Sequence, residues 1–112
     1  MTPDLADTLE FQLRAVGINA IREYKFSDKR KFRADICIPE RHLIIECSGG
    51  TWMAKSGHNT GRGISRDYIK SNLAQLLGYT YLQYTRKEIE DGSALSEIEQ
   101  YLERSENAIH QK

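Results

Sequence analysis

The chain has no long apolar run: nothing in it approaches the roughly 18 to 20 hydrophobic residues needed to span a membrane. The opening Met1-Thr2-Pro3-Asp4 also lacks the basic region and apolar stretch of a signal peptide, so the expectation is a cytoplasmic protein that does not enter a membrane. Charge of one sign is missing as well, because 16 Lys and Arg are balanced by 16 Asp and Glu. That balance argues against a histone-like or tail-like binder. It leaves room for acidic chemistry on one face and a basic patch on another. Cysteine is scarce, with two residues and no C-x-x-C spacing, which excludes a disulfide framework and a thiolate metal site of that pattern. Internal repeats and low-complexity tracts are absent. What is present is 112 residues, 39% of them hydrophobic, enough for one domain with a modest core.

Leu5, Leu9, Leu13 and Val16 recur at helical spacing, so a first helix is expected from about Pro3 to Val16, with Thr2 as N-cap, Pro3 in the first turn and Gly17 as the stop. Ile18 to Tyr24 reads as a strand, and Lys25 to Lys31 as a basic connection. Phe32 to Ile38 alternates, with Phe32, Ala34, Ile36 and Ile38 on one side and Arg33, Asp35 and Cys37 on the other. Pro39 to His42 is a turn before a second strong strand, Leu43 to Cys47. Ser48 to Gly63 holds five glycines (49, 50, 57, 61 and 63), and loops this long in compact domains are usually functional or disordered. A helix is expected over Ile64 to Leu77, with Ile69, Leu73, Leu76 and Leu77 toward the core and Arg66 and Lys70 on another face. Gly78 ends it, Tyr79 to Tyr84 is a strand, and Ser93 to about Ser105 is a last helix with Leu95, Ile98, Tyr101 and Leu102 inward. The order α-β-β-β-α-β-α gives an α/β fold: a mixed sheet flanked by helices, with a right-handed crossover from Glu46 to Tyr79.

The hairpin formed by Phe32 to Cys47 carries the most information. If Pro39 to His42 is a four-residue loop, Ile38 pairs with Leu43, Cys37 faces Ile44, Ile36 faces Ile45, and Asp35 faces Glu46. Opposed residues share a sheet face with Cβ atoms about 4.5–5.5 Å apart. Two carboxylates there repel unless something positive lies between them, and a divalent cation with oxygen ligands is the natural partner. A single charged residue on an alternating strand ordinarily lies on a solvated face. Two acids opposed within the most hydrophobic hairpin of the chain, ahead of a glycine-rich segment, call for more. The same register puts Cys37 on the carboxylate face and Cys47 on the other, against a disulfide between them.

Glu10 on the first helix, then Arg33-Ala34-Asp35-Ile36, then Ile44-Ile45-Glu46-Cys47-Ser48-Gly49-Gly50-Thr51-Trp52, carry a resemblance continued by His58-Asn59-Thr60-Gly61-Arg62-Gly63, Arg66-Asp67-Tyr68-Ile69-Lys70-Ser71-Asn72 and Leu77-Gly78-Tyr79-Thr80-Tyr81-Leu82. In order and spacing, over roughly residues 9 to 85, these resemble the PD-(D/E)XK nuclease superfamily. More narrowly, they resemble small phage and bacterial nucleases of the VRR-NUC and very-short-patch-repair endonuclease type. The resemblance implies a restriction-endonuclease-like fold and Mg²⁺-dependent hydrolysis of DNA phosphodiester bonds, with Mn²⁺ as a substitute. Asp35, Glu46 and the backbone carbonyl of Cys47 would ligate the metal, and Glu10 would support the site from the first helix. One departure stands out: the superfamily pattern has lysine two residues after the glutamate, where this chain has Ser48. Lys70, on the helix after the glycine-rich segment, is the expected replacement, and His58 is a candidate near the scissile phosphate or its leaving group.

Lys25, Lys29, Arg30, Lys31 and Arg33 form a basic cluster ahead of the Asp35 strand; with Lys55, Arg62 and Arg66 they are candidates for phosphate contact. Trp52 reads as a packing anchor for its loop or as a base-stacking group, the first slightly favoured. Three functions compete. The first is an active endonuclease. The second is an inactive nuclease-fold module that binds nucleic acid structure, favoured by Ser48 and opposed by the retained acids. The third is a subunit that needs a partner, for which a homodimer would bring two cutting sites to the two strands of DNA.

Overall fold

The computed structural model describes residues 4–28, 31–48 and 61–110, with side chains of the last stretch over 66–105. Its elements are α1 (Leu5–Ala15), β1 (Ile21–Lys25), β2 (Arg33–Ile38), β3 (Leu43–Ser48), α2 (Gly61–Leu76), β4 (Thr80–Thr85), α3 (Arg86–Glu90) and α4 (Ser93–His110), with a 3-10 turn at Pro39–Arg41. The four strands form one sheet in the order β1-β2-β3-β4. The β1–β2 and β2–β3 pairs are antiparallel, and β3–β4 is parallel. Parallel neighbours need a crossover between them, and α2 lies within it. The expected mixed sheet flanked by helices is therefore the fold. Among the described residues no helix is long and apolar enough to cross a membrane.

The sheet packs on both faces. On one, Ile36, Ile38, Leu43 and Ile45 meet Leu5, Leu9 and Leu13 of α1, Ile89 of α3, and Ile98 and Leu102 of α4. On the other, Cys37 and Ile44 meet Ala74 of α2 together with Phe26 and Phe32. The hairpin register is the expected one: Ile38 opposite Leu43, Cys37 opposite Ile44 and Ile36 opposite Ile45. Both cysteines are free; Cys47 packs against the first cluster and Cys37 lies in the second, so the sheet stands between them.

Several expectations are corrected. The first helix is capped by Asp4, whose side chain accepts the Asp7 amide at 2.7 Å; Thr2 and Pro3, expected as cap and first turn, lie outside the described residues. Val16 falls beyond the helix and is exposed. Gly17 (φ 86) and Gly78 (φ 93) turn the chain out of α1 and α2 in the left-handed region that glycine adopts without strain, as expected of helix stops. Helix α3 was not anticipated, although Thr85-Arg86-Lys87-Glu88 has the capping-box spacing; the Thr85 amide donates to Glu88 Oε1 at 2.7 Å. Helix α2 begins at Gly61, earlier than the glycine content suggested.

The larger correction concerns the rotation of α2. Ile69, Leu76 and Leu77, expected in the core, are exposed, Leu76 by 85%. The helix sits on the sheet through Leu73 and Ala74. Lys70 lies on the same face, since positions three and four apart stack along a helix. The alternation over 32–38 also breaks: Ile36 and Ile38 join the first cluster, while Phe32 and Ala34 join Cys37 in the second. The described β3 pairing reaches β2 only at Ile36, so residues before it belong to a two-stranded ribbon with β1, and such ribbons twist more strongly than wider sheets.

Candidate active site

Continuing the β2–β3 register one step beyond Ile36 and Ile45 brings Asp35 opposite Glu46. The side chains bond accordingly. The Asp35 amide donates to Glu46 Oε2 at 2.7 Å, and the Cys47 amide donates to Asp35 Oδ2 at 2.9 Å. Each carboxylate is thus fixed by the backbone of the strand that bears the other. Lys70 reaches in from α2, its Nζ 2.6 Å from Glu46 Oε1. The Lys70 and Glu46 side chains are only 18% and 16% exposed, so this pair is shielded from water. It is far from the surface pairs that contribute little.

Burial is the largest influence on Glu46 and pushes its pKa above the ordinary carboxylate value; the hydrogen bonds from Lys70 and the Asp35 amide pull the other way, and the Asp35 charge pushes up again. Tyr81 of β4, its hydroxyl pushed up first by burial and then by the charge and hydrogen bond of Glu46, belongs to the same group. By sequence Tyr81 is one more residue of the Tyr79 to Tyr84 strand; a tyrosine that packs in the core while its hydroxyl meets an acid leaves no distinctive sequence signal. The Cys47 thiol is pushed up to about 12 by burial and then by Asp35 and Glu46, so it stays protonated at neutral pH.

A pH dependence follows from Glu46. Its folded pKa lies above the unfolded value near 4.5, so in that window the folded chain binds the extra proton. The contribution to stability is complete below the unfolded value and is lost as pH rises through the folded one. Glu10, Glu88 and Asp91, all shifted down, act only below their ordinary values and so outside this window. Calorimetric melting in chelator should therefore show the native chain gaining stability, relative to Glu46→Gln, as pH falls from neutral toward the ordinary carboxylate value. Parallel pH profiles for the two proteins would contradict it.

Glu10 is on α1, both its oxygens accepting from Arg14 at 2.5 and 3.1 Å; among the described residues its hydrogen bonds run there and not to Asp35 or Glu46. Ser48, at the exposed end of β3, is opposite Thr85. Lys31 and Arg33 are exposed, with Arg33 directly across from Lys25. Arg66 is exposed at the first described turn of α2 side chains, its guanidinium 5.7 Å from the Phe32 ring centroid. Lys29, Arg30, Lys55 and His58 lie outside the described residues, and the Arg62 side chain does too.

Two adjacent carboxylates suit a hard divalent cation, which takes one or two carboxylates and completes its shell with water and substrate phosphate. Among the described residues no group of three or more His, Cys, Asp or Glu converges. Asp35 and Glu46 could supply two such oxygens, with water and phosphate left to supply the rest. A Glu46 carboxylate made costly by burial gains from a cation beside it.

No family model and no curated protein matches the chain. Among solved structures, the fold is similar to that of the catalytic domain of the homing endonuclease I-Bth0305I, with a TM-score of 0.64 and 15% sequence identity, over 88% of this chain and 92% of that one. At that identity the likeness is one of fold: the four-stranded mixed sheet and its flanking helices are an arrangement that a homing endonuclease catalytic domain also uses.

Proposed function

We propose that this chain is a divalent-metal-dependent endonuclease of the PD-(D/E)XK type that hydrolyses phosphodiester bonds in DNA. The observation that carries the reading is the contact of Lys70 Nζ with Glu46 Oε1 at 2.6 Å, beside an Asp35 whose amide holds the other Glu46 oxygen. A pure binding module gains nothing from two acids facing phosphate, whereas cleavage needs both the acids and a cation near them. The similar fold of a homing endonuclease catalytic domain supports the same reading.

Asp35, Glu46 and the Cys47 carbonyl would hold Mg²⁺ or Mn²⁺. The metal supplies a more acidic water and charge stabilisation at the phosphate. Lys70 takes the place of the motif lysine that Ser48 cannot replace. Its ammonium orients the attacking water and offsets charge that builds on the phosphate in the transition state. The Lys70–Glu46 hydrogen bond holds that ammonium in place before substrate arrives. Lys31, Arg33 and Arg66 contact the DNA backbone, joined by Lys25 across from Arg33. Two like charges directly opposed on a ribbon are unfavourable alone and are relieved by an anion between them. A homodimer would deliver one such site to each DNA strand.

The test is a cleavage assay on supercoiled plasmid, linear duplex, branched junctions, single-stranded DNA and RNA, in Mg²⁺, Mn²⁺ or chelator. Metal-dependent nicking or linearisation of DNA supports the reading; binding without cleavage in any metal would turn it to the inactive module. Binding in chelator should weaken steeply with salt, by a log–log slope of about −0.9 per phosphate contact on duplex DNA. Arg66→Ala should lower the slope's magnitude by about 1, and an affinity independent of salt would exclude these phosphate contacts.

A further inference from the structure

Asp35 is held in an unusual way for a strand residue. The β1–β2 pairing runs from Arg22 opposite Ile36 to Tyr24 opposite Ala34 and skips the step between, and the β2–β3 pairing stops at Ile36. Asp35 thus has no register partner on either side among the described pairs. Across from it, Glu23 takes φ 53, a left-handed conformation that costs a non-glycine residue about 1 kcal/mol or more. A neighbouring side chain takes over the Asp35 carbonyl: Arg22 Nε donates to it at 3.0 Å. The rest of that guanidinium is anchored on α1, with Nη1 on Asp7 and Nη2 3.8 Å from Asp4 Oδ2. Asp4 is the cap of α1, so the helix start, Arg22 and the Asp35 backbone form one chain of contacts. The Arg22 side chain is 26% exposed, and its charge reaches both Glu10 and the Cys47 thiol.

We propose that Arg22 is a positioning residue for Asp35, fixing the backbone that aims the Asp35 carboxylate at its metal; the proposal rests on the metal-dependent reading above. Asp35 is then fixed at three points. Arg22 holds the carbonyl, Glu46 accepts from the amide, and the Cys47 amide holds Oδ2. Partners one step removed from a metal commonly change affinity or activity by about 10- to 100-fold, because they restrict the ligand to its binding orientation. Arginine is suited to this place, since its planar fork serves a carbonyl and two carboxylates at once, which a lysine ammonium on a flexible stem cannot do.

The experiment measures Mn²⁺ binding to full-length protein by calorimetry and by electron paramagnetic resonance, together with the metal dependence of cleavage. Arg22→Met should weaken Mn²⁺ binding by about 10-fold or more. It should raise the half-saturating metal concentration in cleavage by a similar factor, while the rate at saturating metal changes little. Arg22→Lys, which keeps the charge beside Asp7 and protects against loss of the fold, should recover only part of the affinity. Asp7→Asn removes an ion-pair partner and leaves the bond to the carbonyl; it should lower the melting temperature with Mn²⁺ affinity near that of the native chain. Arg22→Met or Arg22→Lys binding Mn²⁺ like the native chain would overturn the proposal alone. So would affinity losses that simply track melting temperature across all three variants. A native chain that binds no Mn²⁺ would overturn it together with the metal-dependent reading.

Discussion

Asp35→Asn and Glu46→Gln each reduce the single-turnover rate of DNA cleavage by about 1,000-fold or more, with DNA binding retained. A metal contributes several kcal/mol of transition-state stabilisation, and each 1.36 kcal/mol lost is tenfold in rate. The two variants differ in their effect on the fold. Asparagine at 35 can turn its oxygen to the Cys47 amide, so its one described side-chain bond survives. Glutamine at 46 has one acceptor where the native carboxylate meets the Asp35 amide, Lys70 and the Tyr81 hydroxyl. Its amide nitrogen must then face a donor, so the relief of carboxylate repulsion expected from sequence is offset at this position. Asp35→Asn is therefore the cleaner probe, read as cleavage rate beside melting temperature. Full activity in either variant would remove both acids from the proposed site.

Lys70→Met lowers the cleavage rate by about 100-fold at saturating metal, and leaves DNA affinity within a few-fold. Removing one preorganised group that stabilises transition-state charge typically costs about 10²–10³ in rate. The partly buried contact with Glu46 at 2.6 Å marks Lys70 as such a group, since an ammonium engaged there is drawn away from the DNA backbone. Methionine preserves the aliphatic stem against the sheet while removing the charge. Ser48→Ala is the comparison: Ser48 is exposed at the end of β3 and carries no charge, so its rate should stay near the native one. An unchanged rate for Lys70→Met would return attention to Lys55 and His58.

The hairpin was legible because its period and its turn agree. Pro39-Glu40-Arg41-His42 fixes the loop length, and the loop length fixes every pair back to Ile36. Lys70 was legible as a replacement cation, though by a route that the structure alters. The apolar stripe of α2 suggested a helix with Lys70 turned away from the core, whereas the helix is rotated so that Lys70, Leu73 and Ala74 face the sheet. Hydrophobic period finds a helix but does not say which flank rests on the sheet; here the flank bearing the small, fully buried Ala74 does. Arg22 and Tyr81 were not legible. Their partners Asp35 and Glu46 are 13 and 35 residues away, and nothing in β1 or β4 marks them as different from ordinary strand residues.

The left-handed residue at Glu23 has a consequence for how copies of the chain meet. Strand β1 is an edge of the sheet, and a straight edge with free amides and carbonyls recruits strands from other molecules. Here the edge is interrupted at its middle residue and bears Arg22, Glu23 and Lys25 in four consecutive positions. An incoming strand would find neither a continuous ladder nor an apolar row to lie against. The distortion that frees Asp35 from regular pairing therefore also guards this side of the sheet against edge-to-edge aggregation.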